Sequence, residues 1–294
     1  MKDSMKPIAF LDSVFGNAPA DRARFHVIPA PMEATVCYGG GAAKGPQAIL
    51  AASRQLDDFD GPGCPGELGI HTQPAVRPAT GSADLGERWL RGIEKAVARA
   101  LDLGAVPVVL GGEHTATLGS IRAFRAAGVK IGIVHFDAHA DLRETYQGRK
   151  ISHACVLRRI HELGFPLLQI GLRAISHAER EYRRAHRDTI AAWDSPVPPL
   201  NRLPRHWIPR EFPEKIFITF DLDALDPGVI PATGTPVPGG LGWHQAMEWI
   251  GAVADARKIV GMDVVELAPV KGLHHPDFAA ALLVNNLMAA AARS

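Results

Sequence analysis

The tightest constraint on how this chain folds is a repeated alternation between short, unbroken apolar runs and longer stretches with helical periodicity. Runs at 106–110, 131–136, 167–172, 216–222 and 259–265 have strand length and no polar alternation, as expected for strands covered on both faces of a parallel sheet. Amphipathic stretches predict helices over about 84–103, 115–127, 153–163, 176–187 and 243–256, and an Ala- and Leu-rich helix over about 276–292. Strand, helix and strand in succession imply right-handed crossovers within one sheet. No repeat, low-complexity tract or linker divides the chain. The expected fold is therefore a single α/β domain over 1–294, three-layer α/β/α, with a mainly parallel central sheet. Pro- and Gly-rich pieces at 60–66, 195–204 and 227–242 read as surface or active-site loops.

Composition removes several function classes. With 32 basic against 31 acidic side chains, a net charge of +1 gives no field to recruit nucleic acid or an anionic membrane. No apolar run approaches the roughly 18 residues of a spanning helix, and Met1 to Phe10 lacks the apolar core of a secretory signal. Cys37, Cys64 and Cys155 are too irregularly spaced for a disulfide framework or a zinc knuckle, and read as reduced thiols of a cytoplasmic protein. What stands out is 13 histidines in a near-neutral chain, several of them beside aspartates.

In parallel α/β sheets, sites form beyond the carboxyl ends of the strands. Three of these ends carry Gly111-Gly112-Glu113-His114, His135-Phe136-Asp137-Ala138-His139-Ala140-Asp141 and Asp221-Leu222-Asp223-Ala224-Leu225-Asp226-Pro227. Residues two apart in an extended chain point the same way, so Asp137, His139 and Asp141, and likewise Asp221 and Asp223, are expected to converge. Four crowded carboxylates would have to take up protons unless cations balance them. Two divalent ions do so, with His114 and His139 supplying nitrogen ligands. An oxygen-rich, sulfur-free set that includes imidazole favours two Mn²⁺ over zinc or magnesium, with Co²⁺, Ni²⁺ or Fe²⁺ as substitutes. His135 has the same parity but lies one step deeper, and reads as a core or supporting histidine.

These motifs, together with Tyr38-Gly39-Gly40-Gly41, Lys44-Gly45-Pro46, Ser152-His153-Ala154, Gly234-Thr235-Pro236, Gly239-Gly240-Leu241 and Val265-Glu266-Leu267-Ala268-Pro269, resemble the ureohydrolase (arginase/agmatinase) family over nearly the whole chain. The resemblance implies a binuclear manganese centre. One ion would take His114, Asp137, Asp141 and Asp221; the other would take Asp137, His139, Asp221 and Asp223. It also implies hydrolysis of a guanidino compound to urea and an amine. Asp141 would orient the nucleophile, Glu266 would pair with the guanidinium, and His153 would carry a proton to the departing amine. Relatives of this kind are commonly trimers or hexamers, so a homo-oligomer is implied.

The substrate tail is read from departures. Positions where arginases grip the α-carboxylate and α-amino groups of arginine carry Arg143 and Ser176 here, which resembles the agmatinase branch and implies agmatine, cleaved to putrescine and urea. Arg143, Ser176 and Glu179 are the candidate tail residues. If Arg143 meets the tail, an acid such as 4-guanidinobutanoate, 3-guanidinopropanoate or formimidoylglutamate is implied instead. N1-aminopropylagmatine belongs with the amine-tailed group. A non-catalytic regulatory relative conflicts with the intact ligand set, and a binuclear phosphoesterase leaves Glu266 unexplained.

Overall fold

A computed structural model describes residues 8–57 and 63–294, so residues 60–62 of the first expected loop and residues 1–7 of the amino-terminal stretch lie outside it. Eight strands form one sheet: β1 (Phe25–Ala30), β2 (Ile70–Thr72), β3 (Val106–Gly111), β4 (Gly132–Phe136), β5 (Leu167–Ile170), β6 (Ile190–Trp193), β7 (Lys215–Asp221) and β8 (Lys258–Val265). Their order is β2-β1-β3-β8-β7-β4-β5-β6, and all neighbouring pairs are parallel. The helices are α1 (Gly45–Ser53), α2 (Leu85–Asp102), α3 (Ala116–Ala126), α4 (Val156–Glu162), α5 (His177–Ala185), α6 (Trp243–Ala256) and α7 (His275–Arg293).

Alternation along the strands builds the layers. On β7, Ile216, Ile218 and Phe220 face a core shared with Ile49 of α1, Trp249 of α6 and Leu283 of α7. Phe217 faces the opposite core, with Leu90 and Ile93 of α2, Phe124 of α3 and Leu157 of α4. The α2 helix illustrates the local logic. Its Asp84 cap accepts the Gly86 and Glu87 N–H groups, and its buried Leu90, Ile93, Val97 and Ala100 recur at helical spacing. The Ala-rich α7 packs into the first core, where its small side chains let it lie close to its neighbours. Among the described residues no helix is long and apolar enough to cross a membrane.

The five strands read from the sequence are present within a residue or two. β1, β2 and β6 were not expected: β1 contains Pro29 and His26, and the other two are short edge strands. Nor was α1. The stretch at 153–163 divides into a 3-10 turn at His153–Cys155 and then α4. The run at 167–172 stops at Ile170 because Gly171 turns to φ +94°.

The strand order matters most for function. β7 and β8, last in the chain, are inserted between β3 and β4 at the centre of the sheet. The carboxyl ends of β3, β8, β7 and β4 therefore open side by side onto one crevice.

Candidate metal centre

Each of these four strand ends delivers a side chain. The chain leaves β3 through Gly112, packed so closely on the backbone of Met32 that a Cβ would lie 2.0 Å from the Met32 carbonyl oxygen. That close passage brings His114 inward. Asp137 directly follows β4, Asp221 ends β7 and Glu266 directly follows β8.

The expected extended-chain convergence is corrected in its geometry. Asp141 arrives through a left-handed backbone (φ 52°), and Asp223 through the 3-10 turn Leu222–Ala224. Glu266 is also left-handed, at φ 67°. A non-glycine residue there carries strain on the order of 1–3 kcal/mol, held by the surrounding structure.

Backbone donors aim the carboxylates. His139 N–H donates to Asp137 Oδ1 at 2.6 Å, Ala138 N–H to Asp223 Oδ1 at 3.0 Å, and Asp223 N–H to Asp221 Oδ1 at 2.9 Å. The second oxygens turn to the histidines. His114 Nδ1 lies 3.1 Å from Asp137 Oδ2, 3.1 Å from Asp141 Oδ2 and 3.4 Å from Asp221 Oδ2. Yet this buried nitrogen has no hydrogen-bond partner of acceptable geometry. An unpartnered ring nitrogen among three carboxylate oxygens is the donor set of a divalent cation. The other ring nitrogen sits 2.9 Å from Thr219 Oγ1, which fixes the ring. His139 Nδ1 lies 2.9 Å from Asp223 Oδ2 and 3.5 Å from Asp137 Oδ1, forming a second cluster that shares Asp137.

His135 also falls within ligand distance of His114 and Asp137. Its nitrogens are already committed, however. The Gln169 amide donates to His135 Nδ1 at 3.1 Å, so Nε2 carries the proton and donates to Asp137 Oδ2 at 2.7 Å. His135 orients a carboxylate and offers no lone pair to an ion.

Without cations, protons take their place. Burial, followed by the repulsion of Asp137, pushes Asp141 up to about 7, and burial pushes Asp221 well above the usual carboxylate range. Burial also pushes Glu266 up to about 8. Against the desolvation that burial imposes, Asp137 and Asp223 push His139 up to about 12. The site is therefore built for positive charge.

Above the clusters lies a cleft of about 220 Å³. Its wall includes His114, His139, Asp141, Asp221, Asp223, Glu266 and His153. Glu266 Oε1 accepts the His114 N–H at 2.6 Å. Arg143 lines the cleft from an exposed position, its guanidinium over the ring of Tyr146, another cleft residue, 5.3 Å from the centroid. Glu179 lines the cleft, but its oxygens accept the Leu142 and Ser176 N–H groups at 3.0 and 2.9 Å. Ser176 stands apart from the cleft wall and closes a capping box on α5 with Glu179. Ser176→Ala is accordingly expected to cost about 1 kcal/mol of stability and to leave KM within about twofold. A tenfold rise in KM at unchanged stability would return Ser176 to the substrate site.

Sequence reading passed over Thr35, Cys37, Tyr146, Gln169 and Arg173. Arg173 donates to Asp223 O at 2.6 Å and to Val237 O at 2.7 Å, pinning the Asp223 turn to the 234–241 loop. The other cleft rim passes backbone against backbone, since a Cβ on Gly39 would lie 2.7 Å from the Gly234 carbonyl oxygen. No local spacing signals such contacts.

Comparison with known proteins agrees with this geometry. Residues 23–290 match the Arginase family, and the chain belongs to it. The chain is 38% identical over 280 residues to an N(1)-aminopropylagmatine ureohydrolase of Thermus thermophilus, covering 92% of each chain. It is 35% identical over 287 residues to a protein of the same name from Synechocystis sp., covering 96% of this chain and 93% of the other. The crystal structure of the agmatine ureohydrolase of Thermoplasma volcanium superposes with a TM-score of 0.82 at 26% identity, covering 99% of this chain and 96% of that one.

Proposed function

We propose that the protein is a binuclear manganese hydrolase that cleaves an amine-tailed guanidino compound to urea and an amine, with N1-aminopropylagmatine as the preferred substrate. The observation that carries the reading is the unpartnered Nδ1 of His114 among three carboxylate oxygens, beneath a cleft that also holds Glu266. The tail assignment moves from agmatine, expected from the sequence, to its aminopropyl derivative. Two relatives of that name match over more than nine-tenths of both chains. Agmatine stands as the second reading, supported by the likeness to the Thermoplasma volcanium enzyme. Arg143 lines the cleft with Tyr146, so the amine tail rests on the named relatives, and the substrate panel tests it against an acid tail.

His114, Asp137, Asp141 and Asp221 would hold one ion, and Asp137, His139, Asp221 and Asp223 the other. When bound, the ions lower the pKa of water so that a strong nucleophile exists near neutral pH. The chain's own groups do the rest. Glu266 binds the planar guanidinium and turns its carbon toward the nucleophile. Asp141 accepts a hydrogen bond from the attacking water and orients it. His153 hands a proton to the departing nitrogen, without which the amine is a poor leaving group. The three cysteines are free, in keeping with a cytoplasmic protein, and we read the chain as one ureohydrolase domain acting as a homo-oligomer.

Urea release by manganese-loaded protein tests this on N1-aminopropylagmatine, agmatine, arginine, 4-guanidinobutanoate and 3-guanidinopropanoate. Formimidoylglutamate is read by formamide release. The expected order of kcat/KM is N1-aminopropylagmatine, then agmatine, then the rest. Preference for an acid would make Arg143 the tail residue and overturn the amine reading.

A further inference from the structure

A second buried carboxylate beside the site is no ligand. Glu113 is fully buried, and three donors converge on it: Ala34 N–H and Thr35 N–H, each at 2.6 Å from Oε2, and the Thr35 hydroxyl, at 2.8 Å from Oε1. With its proton given to Glu113, Thr35 Oγ1 has only lone pairs left. Both face His153. The His153 backbone N–H lies 3.2 Å from Thr35 Oγ1, and ring Nδ1 also lies 3.2 Å away. An oxygen that has spent its proton meets Nδ1 favourably only if Nδ1 carries one. On the opposite side of the ring, Nε2 lies 3.6 Å from Cys37 Sγ, at the cleft wall.

We propose that Thr35, anchored by Glu113, is the positioning residue that fixes His153 as its Nδ1–H tautomer and presents Nε2 to the cleft. The proposal rests on the reading of His153 as the proton carrier and adds what makes it one. Burial pushes His153 below its usual range, so it is neutral near neutral pH and its two tautomers compete. The charged groups acting on it are Glu113 and Asp137, which favour the imidazolium, and His114 and His139, which oppose it. Tyr146 packs edge-on to the ring, with centroids 5.4 Å apart. None of these selects a tautomer; the Thr35 hydroxyl does, and the Cys37 thiol, 3.6 Å from Nε2, favours the same one when its S–H points to the ring. With Nε2 unprotonated at the cleft wall beside Cys37, His153 accepts there a proton given up by the attacking water and releases it to the departing nitrogen from the same atom. The wrong tautomer would leave Nε2–H in the cleft and Nδ1 facing a hydroxyl already committed elsewhere.

Thr35→Val removes the hydroxyl at nearly constant volume; Thr35→Ser keeps it. With N1-aminopropylagmatine and with agmatine, Thr35→Val is expected to lose on the order of tenfold in kcat, part of what a general acid contributes. KM and bound metal should stay within twofold and the acid limb of the kcat profile should move, while Thr35→Ser behaves as the parent. His153→Ala, with and without added imidazole, tests the carrier separately. If imidazole rescues His153→Ala but Thr35→Val keeps parental kcat and pH profile, the positioning role is wrong and the carrier stands. If His153→Ala keeps full turnover, the carrier reading falls, and ¹⁵N-histidine spectra of zinc-loaded protein still decide the tautomer. The His153 signal, assigned by its loss in His153→Ala, should show a protonated Nδ1 in the parent and in Thr35→Ser. A parent with Nε2 protonated and Nδ1 bare overturns the proposal, whether or not Thr35→Val folds.

Discussion

Asp221→Asn is expected to lose bound metal and turnover together while the protein stays folded. Asp221 ends β7, and its Oδ1 accepts the Asp223 N–H at 2.9 Å. Asparagine preserves that acceptor and the shape of the turn. What it removes is one negative charge, and what it adds is an NH₂ group where Oδ2 faces His114 Nδ1 at 3.4 Å. Aspartate at this position is assigned to both ions, so neither cluster is spared. We expect fewer than two ions per chain by elemental analysis. The fall in kcat should be on the order of 10²–10³, comparable to deleting one preorganised electrostatic stabiliser. Glu266→Gln supplies the contrast: metal content should hold while guanidinium binding weakens. An Asp221→Asn protein with parental kcat and no bound metal would overturn the binuclear reading.

Legibility from sequence followed the range of the interactions. Runs such as 131–136 and 216–222 were legible as strands because burial on both faces leaves them mostly apolar and without alternation, with His135, Thr219 and Asp221 the buried polar exceptions. β2, with three residues, and β6, with four, carry too few side chains to show a period. Strand order was not legible. Nothing local in 215–221 or 258–265 shows that they insert between β3 and β4, although this brings Asp221 and Glu266 to the centre.

Within the site, residue types were readable where chemistry demanded them in clusters, as in Asp137-Ala138-His139-Ala140-Asp141. Their route inward was not. Parity placed Asp141 and Asp223 on one side of an extended chain, whereas a left-handed residue and a 3-10 turn deliver them. Ser176 and Glu179 were read as tail residues, but their spacing equally satisfies a capping box, and the hydrogen bonds run that way. Supporting residues such as Gln169, Thr35 and Arg173 act across 34 to 118 positions of sequence or through backbone carbonyls. No motif records those contacts.

Stripping the cations should make stability fall with rising pH above about pH 7.5. In the metal-free fold Asp141 titrates at about 7 and Glu266 at about 8, against 3.8 and 4.5 for free side chains, and His139 is raised from 6.5 to about 12. Between about pH 7.5 and 8.5 the folded state thus holds protons that the unfolded chain has released. Stability falls with rising pH wherever the native state binds more protons, so the stability these raised groups contribute at low pH is lost through this window. Burial pushes His26, His135, His153 and His161 the other way, and because unfolded imidazoles are still half protonated at 6.5, their opposing contribution is complete only by about pH 7.5. Bound cations take the place of the protons, so metal affinity rises with pH and binding releases protons. An ion at a hundred times its Kd adds about 2.7 kcal/mol. Scanning calorimetry of chelator-treated protein should therefore show Tm falling from about pH 7.5 to 8.5. Reloading with manganese should raise Tm most at the upper end. A metal-free Tm that is flat or rises across the window would mean that the carboxylates are already ionised and tolerated, and that the cluster does not need cations to hold its shape.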